Sequence, residues 1–118
     1  MKWCGAVAEV DIETRVVDRA LNELGVRSIK LNLRGNTGWP DRLFFIPGGR
    51  PLLIEFKDLG EDPEPRQGLI GQFLEYNKYD YAVHDDAEAA FNAVKQHLES
   101  AITAGWRPRP HRGNHRPR

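Results

Sequence analysis

Pro40-Asp41, then thirteen residues, then Glu55-Phe56-Lys57, is the part of this chain whose residue types and spacing could do chemistry. An aspartate and a glutamate brought together offer hard oxygen ligands to a divalent cation. On a strand, a lysine two residues after the glutamate points to the same side. Two carboxylates, a cation and a lysine can hydrolyse a phosphodiester. The cation neutralises the phosphate and lowers the pKa of a bound water. The lysine steers that water or stabilises the developing negative charge. The bland alternative is that Pro-Asp is turn chemistry and Glu-x-Lys a solvated strand edge.

The intervening residues are what would bring the ends together. Arg42 to Ile46 is a short apolar, aromatic run, Pro47 to Pro51 a turn, and Leu52 to Lys57 a second β-prone run. With Gly48-Gly49 as a two-residue loop, cross-strand partners have numbers summing to about 97. Residue 42 then faces residue 55, and Asp41 sits beside Glu55 at one end of the hairpin. Leu53, Glu55 and Lys57 share one face, and Ile54 and Phe56 take the other. A charged pair in so apolar a strand costs stability unless it is partnered or coordinated.

Other elements must hold this hairpin. Asp11 to Leu24 reads as a helix ended by Gly25, with Ile12, Val16, Val17, Ala20, Leu21 and Leu24 as its apolar positions. Glu13 falls on the same stripe as Val17, Ala20 and Leu24, so it faces the core. It either complements the helix dipole or reaches a metal site. Val26 to Leu33 alternates as a half-buried strand, with Ile29, Leu31 and Leu33 on one face. Residues 34–38 form a loop leading to Trp39. After a polar loop, Pro65 opens a helix to about Lys78 that carries Leu69, Ile70, Phe73 and Leu74. Tyr79 to His84 is a short strand. Asp85-Asp86-Ala87-Glu88 reads as a capping box for a last helix ending at Gly105. The order is α-β-β-β-α-β-α.

The chain has 118 residues, enough for one core. Its 17 basic and 17 acidic residues cancel, but five arginines and no acids follow Trp106, leaving 12 basic residues before it. Residues 1–105 are therefore expected to be the folded domain and 106–118 a disordered basic tail rich in Arg and Pro. The single cysteine, Cys4, excludes an intrachain disulfide and fits a reducing cytoplasm. No apolar run approaches membrane-spanning length, and Glu9 and Asp11 break any leader-like stretch.

Four features in this order resemble the VRR-NUC domain, a branch of the PD-(D/E)XK nuclease superfamily. They are a helix bearing Glu13, Gly38-Trp39-Pro40-Asp41, the hairpin ending in Glu55-Phe56-Lys57, and Gln67 near the start of the next helix. The resemblance covers about residues 9 to 95. It implies an α/β, restriction-endonuclease-like core: a small mixed β-sheet flanked by helices, with a metal-dependent nuclease site at its edge. Asp41, Glu55 and the backbone carbonyl of Phe56 would hold Mg²⁺ or Mn²⁺. Glu13 would contact the ion directly or through water, Lys57 would position the attacking water, and Gln67 would orient Lys57 or the phosphate. Stand-alone members resemble phage proteins and Holliday-junction resolvases, so the resemblance implies a homodimer hydrolysing branched DNA. A phage-encoded member would work in the host cytoplasm. Flaps or plain duplex are the alternative substrates, and a catalytically inactive DNA-binding or assembly protein the alternative class.

For DNA contacts the candidates are Lys30, Arg34, Arg42 and Arg66, with Arg34 and Arg42 flanking the Asp41 loop. Trp39 either stacks on a base or packs beneath its loop. The tail arginines either bind phosphates or serve as a solubilising end. His84 and His97 read as structural or exposed. Tyr76, Tyr79 and Tyr81 read as ordinary core or dimer residues.

Overall fold

The apolar run that starts at Leu52 becomes the buried strand around which the other elements are arranged. The computed structural model describes residues 9–31, 38–60 and 65–109. In chain order these form helix α1 (Glu9–Arg19), a π-helical turn (Ala20–Leu24), strands β1 (Ser28–Lys30), β2 (Arg42–Phe44) and β3 (Leu52–Phe56), helix α2 (Pro65–Tyr76), strand β4 (Asp80–His84) and helix α3 (Ala87–Thr103). The expected α-β-β-β-α-β-α order is present. The sheet is mixed, in spatial order β1-β2-β3-β4. β2 is antiparallel to both its neighbours, whereas β3 and β4 run parallel. Parallel pairing needs a crossover, and α2 provides it.

β3 has a strand on either edge and helices on both faces. All five of its residues are buried, so it reads as an apolar run interrupted only by Glu55. Leu52, Ile54, Phe56 and Phe44 form one core with Ile12, Val16 and Ala20 of the first helical segment and Ala90 and Val94 of α3. Each large side chain buried there contributes about 1.5–3 kcal/mol. Leu43 and Leu53 face the other way. With Trp39, Phe73 and Leu74 they line a hollow of about 220 Å³ against α2. Alternation along β3 therefore sends Glu55 to the α2 side of the sheet.

Several expectations need correction. The first helix reaches Leu24 but widens to π geometry from Ala20 before it stops at Gly25. The hairpin register sums to 96 rather than 97, with Arg42 opposite Ile54 and Leu43 opposite Leu53. The connection is not a two-residue loop: pairing ends at Phe44 and Leu52, and residues 45–51 close the hairpin. Pro47 and Pro51 have no N–H to lend the ladder, so Gly48 and Gly49, at φ 90° and 81°, turn inside a wider loop. β1 is three residues long and lies at the sheet edge, so Ile29 is 48 % exposed rather than half-buried. Asp86 caps α3 by accepting from the Ala89 N–H at 2.9 Å. The capping box does not close, because Glu88 is one position too early for the reciprocal bond. It accepts instead from Arg19 at 3.0 Å. Cys4, Leu33 and residues 110–118 of the basic tail lie outside the described residues.

Candidate active site

Asp41 is fixed from three directions. Gly38, at φ 93°, turns the chain where a side chain would strain it, and buried Pro40 leads straight into Asp41. The Asp41 N–H donates to the Ile54 carbonyl at 3.1 Å, and its carbonyl accepts from the Leu31 N–H at 2.7 Å. Its carboxylate Oδ2 accepts from the Phe56 N–H at 2.7 Å. The first bond is one residue off the strand register, so the chain bends here and lays the carboxylate across the end of β3.

Glu55 comes from β3 itself. Lys57 follows one residue past the strand, where its N–H donates to the His84 carbonyl at 2.9 Å and carries the parallel pairing a step further. Its Nζ lies 3.5 Å from Glu55 Oε2. Asp41, Glu55 and Lys57 are only 2 %, 1 % and 4 % exposed. The structure thus gathers two carboxylates and one ammonium at one end of the hairpin, out of bulk water, where charges act more strongly on one another.

Glu13 faces inward as its stripe position requires and is 7 % exposed. It accepts from Arg42 Nε at 2.7 Å and from Lys30 Nζ at 3.1 Å. Two of the side chains expected to meet DNA therefore hold Glu13 in this structure. Among the described residues, no three of His, Cys, Asp and Glu are grouped so as to hold a metal ion. Glu13 is held by Arg42 and Lys30, while Asp41 bonds the Phe56 N–H and Glu55 lies beside Lys57. Trp39 packs edge-on against Phe73, their ring centres 6.2 Å apart. It packs beneath its loop, beside the hollow lined by Leu43 and Leu53. Arg66 and Gln67 lie in the first turn of α2, and their side chains lie outside the described residues, as does all of Arg34.

Tyr81 belongs beside this group, although its sequence position marks nothing. It pairs with Leu53 in parallel register, which puts it on the Glu55 side of the sheet. Its phenol is pushed up to about 12, first by burial and then by the negative charges of Glu55, Glu75 and Asp41. Finding it required knowing that β4 runs parallel to β3 and in which register. His84 pairs with Phe56 on the other face. Burial holds its imidazole below the ordinary value, against the pull of Asp85 and Asp86, and among the described residues its buried Nε2 has no hydrogen-bond partner. His97 bonds the Ala93 carbonyl at 2.8 Å through Nδ1, a structural use. A hollow of about 480 Å³, lined by Ile46, Arg50, Asp80, His97 and Trp106 among others, lies at the opposite end of β3.

Among solved structures, a chain described as a "VRR_NUC domain" superimposes on this one with a TM-score of 0.62 and 24% sequence identity, covering 77% of this chain and 94% of that one. This chain has the VRR_NUC fold. The expected small mixed sheet flanked by helices is that fold, with Asp41, Glu55 and Lys57 together at the end of its central hairpin. No protein-family model and no curated protein matches the chain. No described helix is long and apolar enough to cross a membrane.

Proposed function

We propose that this chain is a metal-dependent nuclease of the PD-(D/E)XK type that hydrolyses DNA, with branched DNA such as the Holliday junction as its substrate. The observation that carries the reading is the meeting of Asp41, Glu55 and Lys57 on the VRR_NUC fold. A buried pair of carboxylates beside a single lysine is a donor set that fits a hard divalent cation. Asp41, Glu55 and the Phe56 carbonyl would hold Mg²⁺ or Mn²⁺. When bound, such an ion supplies charge neutralisation and an acidified water.

The rest of the chemistry falls to the side chains. Lys57 places its ammonium beside Glu55, where it can orient an attacking water and stabilise charge developing on the phosphate. The Phe56 N–H holds the Asp41 carboxylate in one orientation. Glu13 keeps Arg42 and Lys30 in place beside the site loop. Gln67, at the start of α2, is proposed to orient Lys57 or the phosphate. At their low exposure the three central groups are covered, so a phosphodiester reaches them only when that cover moves. A homodimer would present two such sites to two strands of one junction.

The test is incubation of the purified chain with end-labelled four-way junction, flap and linear duplex, in Mg²⁺, Mn²⁺ or EDTA. Paired nicks in the junction, lost in EDTA, in Asp41→Ala and in Lys57→Ala, are expected. Cutting of flaps or duplex instead would keep the nuclease and change its substrate. Binding without cutting would leave a DNA-binding protein.

A further inference from the structure

At the Leu52 end of β3, opposite to Glu55, a hollow of about 480 Å³ lies between the hairpin loop and the end of α3. Small-molecule sites of this size combine apolar walls with a few converging polar groups. Here Ile46, Pro47 and Ala101 give the walls, and Arg50, Asp80 and His97 supply the polar groups.

Trp106 reaches the hollow because of the way α3 ends. Gly105, at φ 115°, lets the chain reverse. The Trp106 N–H donates to the Ala101 carbonyl and the Gly105 N–H to the Ile102 carbonyl, both at 3.0 Å. This pair of bonds folds the residue after such a glycine back along its helix. Arg107 donates to the Ile102 and Trp106 carbonyls at 2.7 and 2.8 Å and pins the turn. A half-buried indole thus borders the hollow, with exposed Arg107 and Arg109 just beyond it.

The polar groups are poorly matched to one another. His97 Nδ1 lies 2.8 Å from the Ala93 carbonyl. A carbonyl only accepts, so Nδ1 carries the proton and Nε2 of the neutral ring is an acceptor. Nε2 faces Asp80 Oδ2, a second acceptor, at 3.8 Å, too long for a hydrogen bond. Two acceptors so placed suit an amine with two N–H donors. Arg50 reaches Asp80 Oδ1 only at 3.5 Å, with its side chain 73 % exposed, so most of its donors remain for an anion.

We propose that this hollow is a nucleotide site, with the base on Trp106, its exocyclic amine toward Asp80 and His97, and its phosphate on Arg50. Adenine and cytosine carry such an amine, and thymine presents a carbonyl in its place. A free nucleotide and an unpaired residue of a single strand offer the same chemistry. The site does not rest on the nuclease reading, since its binding is measured without cutting.

The experiment titrates the full chain with dAMP, dCMP and dTMP in EDTA, following the indole N–H resonances of Trp39 and Trp106 by NMR. Trp106→Phe identifies the second resonance. dAMP and dCMP should move the Trp106 resonance and leave that of Trp39 in place, and dTMP should bind about fivefold more weakly or worse. Asp80→Asn should remove that preference. Arg50→Ala, at an exposed position, should weaken dAMP about tenfold and leave deoxyadenosine unchanged. Trp106→Ala should weaken both about tenfold. A short oligo(dA) separates the two sources, and either answer upholds the site. Tighter binding than dAMP with the same Trp106 shift assigns it to a single strand, and no Trp106 shift assigns it to a free nucleotide. An unmoved Trp106 resonance at millimolar dAMP, a shift of Trp39 instead, or affinity indifferent to Arg50→Ala would overturn the proposal. A chain that binds dAMP here and cuts no DNA would keep this site and sink the nuclease reading.

Discussion

Glu13 is a buried acid whose partners are far apart in sequence. Arg42 Nε reaches it at 2.7 Å with the arginine side chain 22 % exposed, while Lys30 is 45 % exposed. The lysine contact is screened by solvent and adds little. The Arg42 bond carries most of the benefit, and removing the acid leaves that guanidinium half-covered without its acceptor. Glu13→Ala should therefore destabilise the fold by about 1–3 kcal/mol in urea unfolding; an unchanged midpoint would show the pair to be idle. His84 gives a second test at this scale. An unfolded histidine takes up its proton near the ordinary value of 6.5, and burial lowers that value in the fold. In the window below 6.5 the unfolded chain then holds more protons, so stability falls as pH drops. The stability difference between wild type and His84→Gln should shift against wild type between about pH 7 and 5.5. A difference flat across that range would mean that burial does not govern this imidazole. Asp41, Glu55 and Lys57 were legible in the sequence because strand spacing and residue chemistry are local. The Arg42 partnership was not, since it depends on how α1 crosses the sheet. Tyr81 was hidden for a similar reason: its place beside Glu55 is set by a parallel pairing.

Among the elements, β3 and its hairpin were the most readable, because an apolar run bounded by Pro-Gly-Gly has few other fates. The register moved by one and the loop widened, yet Asp41 still meets Phe56 and Glu55 still lies beside Lys57. Asp41 compensates for the slip by bonding back to Ile54 and turning its carboxylate to the Phe56 N–H. The edge strand β1 was overread because alternation does not say whether a further strand will cover it. α3 shows the same limit at its start. The Asp86 cap was visible, but the partner of Glu88 lay on α1, where Arg19 also stacks over the Phe91 ring at 3.8 Å. The cap stands alone, with no reciprocal bond to share its role. Asp86→Ala should thus cost about 1 kcal/mol, seen as a lower urea midpoint with α3 amides exchanging faster. Loss of less than a few tenths would assign the start of α3 to packing alone.

At the scale of the whole molecule, the exposed apolar stripe of α2 decides how the chain meets its surroundings. Leu69, Ile70, Phe73 and Leu74 are the apolar residues that the sequence places on this helix. Only Leu74 is buried, and Leu69, Phe73 and Tyr76 are exposed at 67 %, 51 % and 83 %. Their spacing of four and three residues sets them on one stripe of the helix. A sequence cannot tell an apolar stripe that covers a core from one that waits for a second surface, because both have the same period. Contiguous exposed apolar side chains on a folded chain mark interaction surfaces, and a stripe of this spacing can pack against its own copy across a two-fold axis. The proposed homodimer would then form through α2, the helix that carries Gln67, so that association and the proposed site would share one element. Sedimentation equilibrium should give twice the chain mass of 13.5 kDa and a monomer for Phe73→Glu. Because Phe73 also touches Trp39, Leu69→Glu is the cleaner partner variant and should dissociate the dimer as well. A wild-type chain that sediments as a monomer at tens of micromolar would remove the dimer, and with it the paired cutting of opposite strands. Single nicks at one strand of a branch would then be the expected product.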